Sequence, residues 1–342
     1  MELALDFTIY TSFPDELETE WNSLLDESVT HVPFLRHEYL RIWWQTHGGG
    51  EWPNAELAII TARRNEQLVG IAPFFVAQHD GRPALMLLGS IEVSDYLDLI
   101  VRPADLDSFL AELLVYLKTA NLPQWSALDL YNLLDSSPTL AALEKLASAQ
   151  GLAFSSQRLQ HSPHISLPGD WEAYLAGIDK KQRHEIRRKM RRAEEAGIPL
   201  NWYIVEDSAK LDGEIDAFMA LMANDADKTA FLTPAMRQHM HLTARCAFDH
   251  HCLQLVFLEI GGQKAAGYLN FDYLNQLWIY NSGLEPRFNE LSPGWVLLGY
   301  LLQWANENKR TEFDFMRGDE EYKYRFGAVD RFVMRVTITP RN

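Results

Sequence analysis

Two stretches of this chain share a pattern that few folds accommodate. Asn65-Glu66-Gln67-Leu68-Val69-Gly70 and Gly262-Gln263-Lys264-Ala265-Ala266-Gly267 each read as a turn, a short run and a glycine that opens an apolar strand. Further along, Ala127-Leu128-Asp129-Leu130 and Glu312-Phe313-Asp314-Phe315 each set one aspartate inside an apolar strand, 59 and 47 residues after the respective glycine. Ordered self-similarity of this kind is the mark of a duplicated structural unit. The chain is therefore expected to fold as two related α/β halves, residues 1–160 and 161–342. Their boundary falls near Leu159 to Pro168, where Pro163 and Pro168 interrupt the periodicity.

The elements predicted from periodicity fit that division. In the first half, strands at Leu3 to Tyr10 and Ser126 to Leu130 accompany a hairpin of Glu56 to Arg63 with Gln67 to Val76. Helices are expected at Pro14 to Asp26, Arg36 to Gln45, Ala104 to Ala120 and Ser137 to Gln150. In the second half, Leu253 to Ile260 and Lys264 to Tyr273 form a hairpin. Gln276 to Ser282 and Glu312 to Phe315 are strands, on either side of a helix at Pro293 to Asn308. Trp43, Trp44 and Trp52 are read as core, and Gly48 to Gly50 as a flexible loop.

Composition excludes several classes. At 342 residues with 47% hydrophobic content, the chain has ample core material for a globular protein. Two cysteines, Cys246 and Cys252, make no disulfide framework, and the N-terminus reads as neither signal peptide nor membrane span. A cytoplasmic location follows as the expectation. The net charge of -16 argues against DNA and other broad nucleic-acid binding.

One segment carries the opposite charge. Between Lys180 and Arg192, eight of thirteen residues are Lys or Arg, against one Glu. Ile186, Met190 and Ala193 form a narrow apolar stripe that anchors one helix face, and Gly197 follows the helix end. Arg183, Arg187, Arg188 and Arg191 are candidate ligands for phosphate, which the planar guanidinium fork suits. A solvated helix that offsets the acidic remainder is the plainer reading of the same residues.

The run Phe313 to Gly327 is the most chemically suggestive. Phe313 to Phe315 alternate apolar and acidic residues as a strand with one buried face would, and Arg317-Gly318 then breaks the strand. Tyr322-Lys323-Tyr324-Arg325-Phe326-Gly327 sets two cations among aromatic rings. This run resembles the closing motif of the FemAB-like and CelD-like branch of the GNAT acyltransferase superfamily. The resemblance implies a tandem of GNAT folds, mixed central sheets flanked by helices, and an acyl-transfer activity. It implies an acyl-transfer role for Lys323; no metal is expected from the residue spacings anywhere in the sequence.

In GNAT relatives an acyl-CoA lies between splayed strands, with its pyrophosphate on a helix N-terminus, where unpaired N–H groups and the helix dipole meet the anion. The matching place here follows the strand ending at Ser282. Leu291-Ser292-Pro293-Gly294 opens a helix with Ser292 as expected N-cap, and Trp295, Leu298, Leu302 and Ala305 form its buried stripe. Ser282, Leu291, Ser292, Gly294 and Trp295 are thus candidate acetyl-CoA contacts. The loop lacks the spaced glycines of the usual pyrophosphate motif.

Acyl transfer needs a base, a proton donor and oxyanion stabilisation. Asp314, Asp319 and Glu320 are candidate bases; Tyr280, Tyr322 and Tyr324 are candidate donors; Lys323, Arg317 and Arg325 can meet negative charge. The expected reaction is direct acyl transfer to an amine or hydroxyl of a small-molecule, glycan or cell-envelope precursor. Two other readings stand beside it: a Fem-type aminoacyltransferase using aminoacyl-tRNA, and a silent module that binds a phosphorylated precursor. His239, His241, Cys246, His250, His251 and Cys252 have metal-ligand types, but their spacing fits no zinc pattern.

Overall fold

The computed structural model describes residues 4–340 and divides into two compact units, 1–160 with 331–342, and 161–330. Leu3, the expected start of the first strand, lies outside the described residues.

The first unit is built on strands β1 (Asp6–Tyr10), β2 (Glu56–Arg64), β3 (Gln67–His79), β4 (Arg82–Leu87), β5 (Ile100–Val101), β6 (Ala127–Leu134) and β7 (Leu152–His161). The helical segments are α1 (Glu18–Asp26), α2 (His37–Gln45), the short turn α3 (His47–Gly50), α4 (Leu106–Tyr116) and α5 (Pro138–Ala149). Gly48 and Gly49 carry positive φ within α3 and Trp43 packs on Gly48, so the triple glycine is built into the core edge. The sheet order is β1-β2-β3-β4-β6-β14-β7, with β5 on β3. Here β14 is Phe332–Pro340, paired antiparallel to β6. Sequence had assigned everything from residue 161 onward to the second half; the last strand instead completes the first sheet. Its alternating Val333, Val336 and Ile338 supply apolar side chains that the β6 face buries.

The second unit contains strands β8 (His164–Ser166), β9 (Leu200–Ile204), β10 (Leu253–Ile260), β11 (Gln263–Tyr273), β12 (Gln276–Leu284) and β13 (Glu312–Asp314). They form a sheet in the order β8-β13-β12-β11-β10-β9. Its helices are α6 (Trp171–Gly177), α7 (Lys180–Glu194), α8 (Leu211–Met222), α9 (Ala226–Phe231), α10 (Pro234–Asp249), α11 (Pro293–Glu307) and α12 (Glu321–Arg325). α11 lays Val296, Leu297, Leu301 and Leu302 over Val256, Leu258, Ala266 and Ile279. On the other face, Phe218 of α8 and Phe257 of β10 both close over the bare backbone of Gly267.

The duplication read from sequence is structural. Each unit runs hairpin, third strand, helix, then a strand parallel to the third: β2-β3-β4-α4-β6 in one, β10-β11-β12-α11-β13 in the other. The repeated aspartates, Asp129 and Asp314, sit on the two parallel closing strands, and both are buried. Phe313 to Met316 are buried on both faces rather than one, because β13 is an interior strand between β8 and β12. Among the described residues, no helix is long and apolar enough to cross a membrane.

Candidate active site

The central feature of the second unit is a split in its sheet. β12 and β13 pair in parallel only over Gln276↔Glu312, Leu277↔Phe313 and Trp278↔Asp314. β12 continues six residues further, to Leu284, with no strand on that side among the described residues. Within this stretch the register on β11 slips from Asn270↔Ile279 to Leu269↔Asn281, leaving Tyr280 as the extra residue of a bulge. Tyr280 packs its ring on Phe271 at 5.5 Å.

The open edge is occupied by side chains. Ser282 donates its N–H to Asn281 Oδ1 at 2.9 Å, and its carbonyl accepts from Lys228 Nζ at 2.5 Å. Both backbone groups of an antiparallel residue point the same way, so Ser282 presents them to the split rather than to β11. Two residues on, the Leu284 carbonyl accepts from Asn224 Nδ2 at 2.8 Å. Asn224 comes from the α8–α9 connection and Lys228 from the first turn of α9, which α8 brings close because Gly283 has no side chain. A Cβ there would lie 2.6 Å from the Met222 nitrogen. A cavity of about 210 Å³ opens at this place, lined by Leu221, Met222, Asn224, Lys228, Ser282 and Leu284 among others. Burial pulls the Lys228 ammonium below the ordinary lysine range, against the opposing pull of Asp225 and Glu320. Sequence reasoning missed Asn224 and Lys228. Their only local signal is Asp225, whose carboxylate caps α9 by accepting from Asp227 and Lys228 N–H.

The turn after β13 is held by two buried charges. Asp314 Oδ1 accepts from the Met316 N–H at 2.7 Å. Lys323, only 3% exposed, donates from Nζ to the carbonyls of Met316 (3.4 Å), Arg317 (2.8 Å) and Gly318 (3.1 Å), and pairs with Glu320 Oε2 at 2.8 Å. Three N–H donors meet at least as many acceptors, so this ammonium is committed to the turn. Gly318 is required there: its φ is +111°, and a Cβ would strike Glu320 Oε2 at 2.5 Å. Arg317 is half-buried, and Arg325 is exposed and paired with Glu321 at 2.6 Å. Burial first, and Glu320 second, raise the Tyr322 phenol far above its usual range. Glu320 itself is largely exposed.

At the start of α11, Ser292 is in the left-handed region (φ 53°) and its side chain caps nothing. The expected serine cap is thus replaced: Ser292 closes the preceding turn of 286–291 through its N–H to the Asn289 carbonyl. The first-turn N–H groups of Gly294 and Trp295 have no intrahelical acceptor by helix geometry. Leu291 is half-buried, and Leu284 packs against Gly294, where a Cβ would approach it to 2.8 Å. The Trp295 ring lies 4.6 Å from Phe326 and 4.1 Å beneath Lys189 Nζ. This contact joins α11, α12 and the basic helix α7.

α7 is capped by Asp179 and buries Ile186, Met190 and Ala193, as its stripe requires. Its arginines divide by task. Arg183 is half-buried and donates to the Leu175 and Ala176 carbonyls at the end of α6. Arg187 pairs with Glu172, and Arg188 makes a two-pronged contact with Glu185, at 2.8 and 2.7 Å. Arg191 and Arg192 are exposed. Of the histidine-rich stretch, His239 is buried and pushed down to about 4 by burial, while His241 pairs with Asp216 at 2.9 Å. Two residues apart on one helix, they face different directions.

These features coincide with a known class. Residues 180–324 match the family model described as an acetyltransferase (GNAT) domain. No curated protein matches the sequence. Among solved structures, FemX is 10% identical over 96% of both chains, with a TM-score of 0.67. A conserved protein of unknown function from Bacteroides thetaiotaomicron is 12% identical over 98% of this chain and 100% of its own, with a TM-score of 0.61. L-PGS from Bacillus licheniformis is 13% identical over 96% and 93%, with a TM-score of 0.56. At these identities the likeness is one of fold. The architecture is a tandem of GNAT folds, and the protein is an acyltransferase whose second half carries the match to the GNAT domain.

Proposed function

We propose that the second half moves an acyl group, most simply acetyl from acetyl-CoA, onto an amine or hydroxyl of a small-molecule, glycan or cell-envelope precursor. The reading places the chain in the FemAB-like or CelD-like branch. The observation that carries it is the open edge of β12 beyond Trp278, next to the N-terminus of α11. A donor with amides along its arm pairs with such an edge as a strand would, and its phosphates meet the first-turn N–H groups of Gly294 and Trp295.

Attack is direct. The acceptor nitrogen or oxygen bonds to the acyl carbon, the carbon–sulfur bond breaks, and the leaving thiolate takes a proton. The bulge at Tyr280 turns backbone toward the acyl carbonyl. Tyr322, held protonated by burial, is the proton donor, and Glu320 is the carboxylate that takes the acceptor's proton. Lys323 and Asp314 are positioning residues, since both are spent on the turn that presents Glu320. Arg317 and Arg325 flank that turn and offer charge to an anionic acceptor.

A second reading has its own support. Leu284 crowds Gly294, and Pro293 removes one N–H, so the α11 N-terminus is a narrow pyrophosphate site. The exposed cations of α7, Arg191 and Arg192 among them, suit the phosphates of an aminoacyl-tRNA donor. A thermal-shift panel of acetyl-CoA, longer acyl-CoAs and charged tRNA decides. A ligand at ~100 times its Kd should add about 2.7 kcal/mol of stability. No shift with any coenzyme A thioester sinks the acetyl-CoA reading. A shift with charged tRNA that fades steeply with salt favours the second.

A further inference from the structure

Ser282 and Leu284 turn their carbonyls into the split, and neither is left to water. Lys228 Nζ holds the first at 2.5 Å and Asn224 Nδ2 the second at 2.8 Å. Both side chains come from one short connection, between the end of α8 at Met222 and the start of α9 at Ala226 and its first turn. Their spacing copies a strand partner, since alternate residues of an edge strand present their backbone groups to the same side. Any extended donor that pairs with this edge must bond the same two oxygens.

We propose that Asn224 and Lys228 form a latch on the donor edge of β12, which an incoming acyl donor displaces. They are positioning residues and set the affinity of the donor through competition. The inference rests on the donor reading given above. Four further facts support it. The cavity of about 210 Å³ beside the latch gives the released side chains somewhere to go. Lys228 Nζ already lies near a second acceptor, Ser282 Oγ, at 3.3 Å. Asp225 and Glu320 exert attraction on the same ammonium, so charge is available to receive it once Ser282 is taken. Asn224 is exposed and Lys228 only partly buried, so both can swing out without disturbing the core.

Competition has a sign that direct contact does not share. Removing a latch donor frees a carbonyl for the ligand, so affinity for the donor should rise. A residue that touched the donor would lower affinity when removed. The experiment is calorimetric titration of acetyl-CoA into the wild-type chain, Lys228→Met, Asn224→Ala and the double variant, with Lys228→Arg as the charge-conserving control. Asn224→Ala changes an exposed side chain and keeps the test valid should Lys228→Met fold poorly. The expected result is about five- to tenfold tighter binding for each single variant, more for the double, and wild-type affinity for Lys228→Arg. Amide exchange in residues 223–229 of the ligand-free variants should quicken, while β10 and β11 stay protected.

If the wild-type chain binds acetyl-CoA and the variants bind it equally or more weakly, the latch is overturned and the donor reading stands. If neither the wild-type chain nor the double variant binds it, the two fall together. Binding by the double variant alone supports the latch most strongly.

Discussion

Both halves of the molecule end the same strand sequence in a parallel pair, and only one keeps the resulting gap open. In the first half, β4 and β6 pair over Ala84↔Ala127 and Leu85↔Leu128 alone. The chain leaving β4 then doubles back into the split. The Leu97 N–H bonds the Asn132 carbonyl, and Asn132 Nδ2 bonds the carbonyls of Ile91 and Ser94 at 2.8 and 2.7 Å. Val93, Tyr96, Leu97 and Leu99 are buried there. In the second half the chain leaving β12 passes through the short turn 286–291 to α11, and the exposed carbonyls fall to two side chains. A backbone plug cannot be exchanged for a ligand without local unfolding, whereas a pair of side chains can. The duplicated frame thus serves as scaffold in one copy and as a site in the other.

The strongest test of this contrast is Lys323→Met. Methionine keeps the volume but strands three carbonyls and Glu320 in the turn that borders the open split. The expected cost is about 3 kcal/mol of stability, read as a fall in thermal midpoint, with acyl transfer slowed about 10²-fold through misplacement of Glu320. Lost activity with an unchanged midpoint would return Lys323 to direct chemistry and remove the turn from the argument. Lost activity with donor binding retained also excludes the silent binding module.

A smaller effect should come from the closed half. Asp98 is a fully buried residue of the plug itself and accepts from Thr30 Oγ1 (2.6 Å), Ser137 Oγ (2.5 Å) and the Leu99 N–H (2.8 Å). Burial raises its carboxyl pKa, against these three hydrogen bonds. Asp98→Ala strands those donors and should cost about 2 kcal/mol, while the thermal shift given by acetyl-CoA stays at its wild-type size. If that shift disappears, the first split is the donor site and the comparison is reversed.

How much of this was legible in the residues follows from what each feature depends on. The hairpins, the helices after them and the Asp129–Asp314 correspondence were readable because they rest on local periodicity. The strand Phe332 to Pro340 was not, since its partner β6 lies some two hundred residues earlier and nothing local encodes that pairing. Lys323 was found through its aromatic neighbours, yet sequence could not show that its ammonium is consumed by carbonyls of its own turn. Ser292 was given a capping role its left-handed φ prevents, because a residue's type does not report its backbone angle. Asn224 and Lys228 were invisible for a simpler reason. A side chain that caps a strand edge needs only reach and a donor, and most polar residues have both.

The gentlest probe of the open half is Gly294→Ala. The new methyl would meet Leu284 Cδ2 at 2.8 Å, the far end of an exposed, flexible side chain that can rotate away. Alanine gains about 0.5–1 kcal/mol over glycine in a helix interior, and less within a first turn. Stability should therefore be level or slightly improved. Donor affinity should behave differently: Leu284 swings and the methyl fills the approach to the first-turn N–H groups, so acetyl-CoA should bind several-fold more weakly. A matching change in the closed half, Gly81→Ala, meets nothing within 4 Å but carries φ +75°, so it should cost stability alone. Equal donor affinity for Gly294→Ala and the wild-type chain would move the anion away from the α11 N-terminus. It would leave the edge of β12 as the one donor contact still to be tested.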